Sequence, residues 1–425
     1  MILRKVPNYI LVGTFLFIVS MVLLYSNIII YSLNFYKPRP AYWDLTNGIN
    51  PLWNCFKSSG LKLFSLDSVT FPSLESCRNF NYGYFSVASF GLFHIISRNQ
   101  NFWGVLQVFT FCILIGRTFF DGENKKGSIL IFILALGSPG IFLLEASGNM
   151  DIQIVSLILL ALLFFRRGNV KFAVLLISLS ALFKFYSSPL LLIFTLILKK
   201  KNDRIFGFTL MLITGFIIIF QMLWTPIPPF PGGAQNKFGA MIIGNYMRKA
   251  GFSVSNFQGE ILGIFIVLLF VLILFIFRFK SSSYIKSTPD LTSDLEEIRY
   301  RHLYFFVMAL TSIVCYFSAL SVDYRLVFVS LAGLSLLQLN QEKVRIATKF
   351  FPYVFFVSLW FVFPFAYLSK YFGKDLQPIG DIALMATIAY FIFQSIFSLK
   401  FLIKENFLQI QIPTWVPLKS RKSIF

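Results

Sequence analysis

The chain has 425 residues, of which 57% are hydrophobic and 13% charged, with a mean hydropathy of +0.74. A water-soluble domain of this length cannot cover its surface with so few charges, which argues against a soluble enzyme. The net charge of +20 does not point to nucleic acid, because Lys and Arg stand in short clusters between apolar runs and no basic domain stands apart from them.

Apolar runs recur near residues 9–33, 81–97, 102–116, 128–144, 152–165, 172–185, 189–198, 205–224, 260–277, 302–319, 326–340, 349–368 and 382–402. Most approach the ~20 residues a bilayer crossing needs, and they predict an all-α membrane protein. The first run, Tyr9 to Leu33, is longer than a signal-peptide core. The NFYKPRP that follows offers no small-residue cleavage site, so the run reads as a retained helix.

A long outer loop, 34–101, comes next. Within it 81–97, NYGYFSVASFGLFHIIS, is short, serine-containing and opens on aromatics, and it reads as a helix dipping into the outer leaflet. With that dip, most of the 38 basic residues fall on the inner side. The outcome is a polytopic helix bundle of about 12 transmembrane segments plus a membrane-dipping helix, both termini cytoplasmic. An alternative arrangement makes 81–97 a full pass and 171–199 a single helix. In the preferred one, 172–185 and 189–198 are two short segments meeting at Lys184, Tyr186 and Pro189, and interrupted segments of this kind line binding cavities. Residues 1–280 form an N-terminal transmembrane module with a second outer loop at 225–258. The polar, mixed-charge stretch 281–301 reads as a flexible cytoplasmic linker, and 302–425 as a C-terminal module. The chain shows no internal repeat.

The outer side gathers the residues that carry chemistry. Asp44, beside Tyr42 and Trp43, suits a general base for a sugar hydroxyl, with Trp43 placed to stack on a ring. Capping of a helix at Leu45 is the competing role for Asp44. Asn149 and Asp151, in EASGNMD, open an inward-running helix, where capping again competes. Lys184 is a lone cation in an apolar stretch; intramembrane charge points to function, snorkelling being the alternative. The proline- and glycine-rich loop 225–258 carries Arg248 and Lys249 after Tyr246, and SVDYR places Asp323, Tyr324 and Arg325 at an outer turn. Arg suits a phosphate through its paired donors, or Arg325 pairs locally with Asp323. Cys55 and Cys77 are the cysteines outside the apolar runs; the outer compartment permits a disulfide between them, the alternative being two free thiols. No P-loop, no GxGxxG after a strand and no HExxH appears, and with two histidines, His94 and His302, a multi-histidine metal site does not arise.

The stretch 148–201 resembles the central region of the polyprenyl-phosphate-mannose-dependent mannosyltransferases, glycosyltransferase family 87 of the GT-C superfamily. The similarity lies in Gly148, Asn149 and Asp151, the basic turn Arg166, Arg167 and Gly168, then Lys184 and Pro189 before a short helix. Asp44 falls where GT-C enzymes keep their catalytic acid, and Tyr82 to Phe93 resembles the aromatic surface helix that follows it. In place of a histidine motif found in some family members, this chain has Ser321 to Arg325, which bears on the mannose specificity.

The resemblance implies a GT-C-like bundle that moves a sugar, mannose first, from a polyprenyl-phosphate donor to a glycan or glycolipid acceptor on the outer face of the inner membrane. Asp44 would accept the acceptor proton. Lys184, Arg248, Lys249 and Arg325 would hold the donor phosphate; Trp43, Asn149, Asp151, Asp323 and Tyr324 would line the sugar and acceptor. Partners are membrane lipid and the lipid-linked substrates, with no nucleic acid. No cofactor is required, and a divalent metal ion is compatible with the scheme. The rivals are a lipid-linked sugar flippase or transporter, and another envelope polysaccharide enzyme.

Overall fold

The computed structural model describes residues 8–25, 100–119, 135–138, 140–141, 144–145, 149–198, 200–224, 237–240, 242–280, 293–317, 321–322, 325–340, 346–362 and 377–411. The described residues are almost wholly helical, and five helices are long and apolar enough to cross a membrane. In chain order the helices are α1 (Asn8–Tyr25), α2 (Gln100–Phe119), α3 (Asp151–Arg166), α4 (Val170–Phe183), α5 (Ser188–Ile197), α6 (Lys201–Trp224), α7 (Ile242–Lys249), α8 (Asn256–Lys280), α9 (Ser293–Phe317), α10 (Leu326–Asn340), α11 (Ile346–Phe361) and α12 (Gln377–Gln411). Two short strands, β1 (Lys237–Phe238) and β2 (Ser321–Val322), pair antiparallel, with Lys237 opposite Val322.

The five spans lie in α2, α6, α8, α9 and α12, while α1, α4, α5, α10 and α11 are apolar but shorter. The predicted dip at 81–97 and the first outer loop lie outside the described residues. Helix α9 begins at Ser293, so the last part of the stretch expected to be a flexible linker is helical. The single helix 171–199 of the alternative arrangement does not form: α4 ends at Phe183, a 3-10 turn occupies Phe185–Ser187 and α5 restarts at Ser188. The cause is local. Pro189 has no N–H to give and fits a first turn but not a helix interior. Ser187 donates to the Lys184 carbonyl and Ser180 to Ser187 Oγ, so hydroxyls satisfy groups freed by the break.

Packing joins sequence neighbours and, in the second half, brings α12 back onto α8 and α9. Helices α1 and α2 pair, as do α3 and α4, while α9 sits against α10 and α12, and α12 against α8 and α11. The Arg166–Arg167–Gly168–Asn169 turn closes the α3–α4 hairpin, with Gly168 at φ +80°, where a side chain is strained. Buried aromatics tie the second half: Phe351 stacks on Tyr390 at 4.6 Å, and Phe305 meets Phe391 edge to face at 6.0 Å. Polar bonds cross between helices, Ser178 to Thr214 at 2.5 Å and His302 Nδ1 to Ser398 at 3.0 Å, as apolar surroundings demand of buried hydroxyls. By contrast, one face of α6 and one of α8 stay bare. Leu212, Phe216, Phe257 and Phe265 are each more than 60% exposed.

The segment around α7 is locked down by close backbone approach. A Cβ on Gly263 would stand 2.0 Å from the Ala240 carbonyl oxygen, and one on Gly244 would stand 2.8 Å from the Gly259 Cα. Gly263→Ala is therefore expected to cost about 1–3 kcal/mol through overpacking against backbone, read as a lowered melting temperature of the purified protein; an unchanged one would place the α7–α8 contact elsewhere.

Candidate functional site

The site is built at the point where helix α3 starts, helix α4 ends and helix α10 starts. Asp151 is the first residue of α3, and Met150 before it makes no side-chain cap bond. Capping, the role that competes for Asp151 in the sequence, is taken instead by Asn149, whose Oδ1 accepts the Asp151 N–H at 3.0 Å. The Asp151 carboxylate turns to tertiary partners. It is fully buried, and the positive end of the α3 dipole stabilises its charge.

Three residues meet it. Lys184 Nζ donates to Asp151 Oδ1 at 2.8 Å, and the Tyr186 hydroxyl donates to the same oxygen. Arg325 Nε stands 3.8 Å from Oδ2. The α3–α4 hairpin explains why residues 33 apart in sequence touch. A helix of 16 residues, a tight turn and a returning helix of 14 bring the two far ends to one level. Lys184 sits at the C-cap of α4, where cations are favoured, and its extended backbone turns Tyr186 into the same place. Arg325 comes from the start of α10, its guanidinium 5.3 Å from the Tyr186 ring centre. One turn on, Phe328 makes an edge-to-face contact with the Tyr186 ring at 5.7 Å, which fixes the phenol in place.

One carboxylate therefore faces two cations and a phenol in a buried setting. The Asp151 and Lys184 side chains are 0% and 6% exposed, whereas that of Arg325 is 18% exposed. Desolvation of such a cluster is costly, and only close pairing offsets it. Among the described residues the cluster sets two cations around one carboxylate, with Arg325 on its more exposed side.

A second buried carboxylate lies at the start of α12. Asp381 is 2% exposed and accepts a hydrogen bond from the Tyr246 hydroxyl on α7. The backbone N–H of Ala240 reaches the Tyr316 carbonyl at 3.3 Å. The pairing of β1 with β2 brings this segment next to the turn before Arg325, while the Ala240 bond ties it to the end of α9 and the Tyr246 bond ties α7 to α12. Glu145, also buried, accepts a hydrogen bond from Ser20 of α1.

The candidates named from sequence divide accordingly. Asn149, Asp151, Lys184 and Arg325 come together. Arg248 and Lys249 are exposed, and no described contact joins them to Asp151. Trp43, Asp44, Cys55, Cys77, Asp323 and Tyr324 lie outside the described residues; Cys112 and Cys315 are buried free thiols. Tyr186 marks the segment break in the sequence without a site role of its own, and the Tyr246–Asp381 bond goes unmarked. Tyr186, between a lone Lys and a Pro, carries a signal in its place beside the helix break; the Tyr246–Asp381 bond spans 135 residues and carries none. Among the described residues no group of three His, Cys, Asp or Glu side chains stands together. No protein-family model, no curated protein and no solved structure matches this chain.

Proposed function

We propose that the chain is an integral membrane glycosyltransferase of the GT-C type, moving a sugar from a polyprenyl-phosphate donor to a glycan or glycolipid acceptor on the outer face of the inner membrane. The observation that supports this reading most is the Asp151–Lys184–Tyr186–Arg325 cluster, in which, among the described residues, two cations meet one buried carboxylate beside a broken helix. Asp151 holds Lys184 and orients Arg325, so the cations are set before an anion arrives. The departing phosphate, whose charge grows as the bond to the anomeric carbon breaks, takes the exposed side of Arg325. Asp44 of the first outer loop accepts the proton of the attacking hydroxyl. A single displacement inverts the anomeric centre, and mannose is the sugar the sequence resemblance favours. Twelve crossings with cytoplasmic termini complete the proposal.

A charge-assisted hydrogen bond to phosphate contributes about 1.5–3 kcal/mol. Arg325→Ala is therefore expected to raise the donor concentration needed for half-maximal transfer by roughly ten- to a hundredfold, measured with radiolabelled polyprenyl-phosphate sugars and purified protein. An unaltered requirement would remove Arg325 from the phosphate.

A lipid-linked sugar carrier is the second reading, and the break between α4 and α5 favours it, because discontinuous helices are a mark of transporters. Sealed vesicles separate the two. The transferase forms a glycosylated acceptor; the carrier moves labelled sugar lipid across the bilayer without forming any.

A further inference from the structure

Helix α8 is the most apolar of the five spans among the described residues, with a mean hydropathy of 3.2 over Phe257–Phe277, yet only 17% of that stretch is buried. Its bare face runs through Phe257, Ile261, Phe265 and Leu268, which are 70%, 50%, 62% and 54% exposed. Next to its first turn stand the two cations that the Asp151 cluster does not use. Arg248 and Lys249 end α7 and are exposed.

The turn between them and α8 is a built one. Gly251, at φ +92°, donates its N–H to the Arg248 carbonyl, and Phe252 donates to that of Met247. Ser255 and Gln258 form a reciprocal cap at the start of α8, with bonds of 2.9 and 3.2 Å. Arg248 Nη1 donates to the Val254 carbonyl at 2.9 Å and Nη2 to Asn245 Oδ1. Those bonds engage two of the five guanidinium N–H donors and hold the plane fixed. The Lys249 ammonium lies 5.9 Å from the Tyr246 ring centre. Phe252, 60% exposed, projects from the same turn. The nearest acidic residue along the chain, Glu260, is half-buried one turn into α8, and Asp381, which binds the Tyr246 hydroxyl, is 2% exposed, so the exposed charges of the turn are those of Arg248 and Lys249.

We propose that this turn and the outward face of α8 together seat an anionic phospholipid, its headgroup phosphate on Arg248 and Lys249 and its acyl chains along Phe257 to Leu268. Charge complementarity selects the headgroup, and the continuity of the apolar face with the cationic turn selects a lipid over a free anion. A zwitterionic lipid covers the same face without the charge match. The lipid seat requires no catalytic role for the Asp151 cluster.

The test uses the full chain carrying Phe252→Trp, reconstituted in phosphatidylcholine nanodiscs, with emission of the protein lacking that substitution subtracted. Brominated phosphatidylglycerol and brominated phosphatidylcholine are titrated as quenchers. Phosphatidylglycerol is expected to quench the added tryptophan at the lower mole fraction. That preference should fall about fivefold on Lys249→Gln, which leaves the turn's own bonds intact, and ~25-fold when Arg248→Gln is added. Millimolar inorganic phosphate should leave the quenching unchanged. Equal quenching by the two lipids, or a preference untouched by Lys249→Gln, overturns the proposal. Displacement by inorganic phosphate identifies a free-anion site and overturns it as well. Absence of quenching by either lipid means that a second copy of the chain covers α8, and this too overturns the lipid seat.

Discussion

Asp151→Ala is expected to destabilise the protein by ~3–5 kcal/mol, the cost of leaving buried charge without its partner. The substitution removes the oxygen that Lys184 and Tyr186 share and a carboxylate oxygen 3.8 Å from Arg325 Nε. Thermal unfolding of the purified protein, followed by size-exclusion chromatography, measures the loss. A double variant separates charge imbalance from lost shape. Asp151→Leu with Lys184→Met keeps the net charge and the volume, and such replacements of buried pairs are often neutral or stabilising. It should therefore recover most of the stability while remaining defective in any function that needs the cluster. An unchanged melting temperature for Asp151→Ala would mean that the pairing contributes nothing to the fold.

Asp44→Asn should fold normally, keep donor binding and lose turnover by ~10²–10⁴-fold, the range general-base catalysis contributes. The substitution preserves shape and removes the ability to take a proton. Asp67→Asn, in the same loop, is the control and should transfer at the wild-type rate. Near-normal transfer by Asp44→Asn, with collapse on Asp67→Asn, would move the base to the other carboxylate. The pair of experiments assigns separate duties, since Asp151 is expected to govern stability and cation placement and Asp44 the chemical step alone.

How far the sequence foretells this arrangement depends on the distance involved. The helix break at residues 184–188 is legible, because a charge, an aromatic and a proline interrupt an apolar run within six positions. The start of α3 is legible from GNMD, since the polar residues stop where the apolar run begins. The meeting of Asp151 with Lys184 does not show in the apolar runs, although hairpin geometry contains it: near-equal helix lengths on either side of a Gly turn return the chain to its starting level. Hydropathy ranks each stretch by itself and carries no such pairing. Arg325 reads from sequence as a phosphate ligand or a partner of Asp323, and its approach to Asp151 joins residues far apart in the chain. Only the packing of α10 beside the α4–α5 break fixes it. Arg248 and Lys249 show the converse, because nearness to a helix end in sequence does not bring them to the buried cluster.

The shortness of the two helices flanking the break has a mechanical consequence. At 1.5 Å per residue, α4 extends about 21 Å and α5 about 15 Å, against ~30 Å of hydrocarbon. In the proposed twelve-crossing arrangement, the bilayer around them thins locally or admits headgroups deeper than elsewhere. Either adjustment shortens the path from the lipid–water boundary down to Lys184, and it favours arrival from within the leaflet. On the proposed transferase reading, a long isoprenoid tail would be a guide rail, delivering its phosphate sideways at the depth where the chain has already interrupted its own helix.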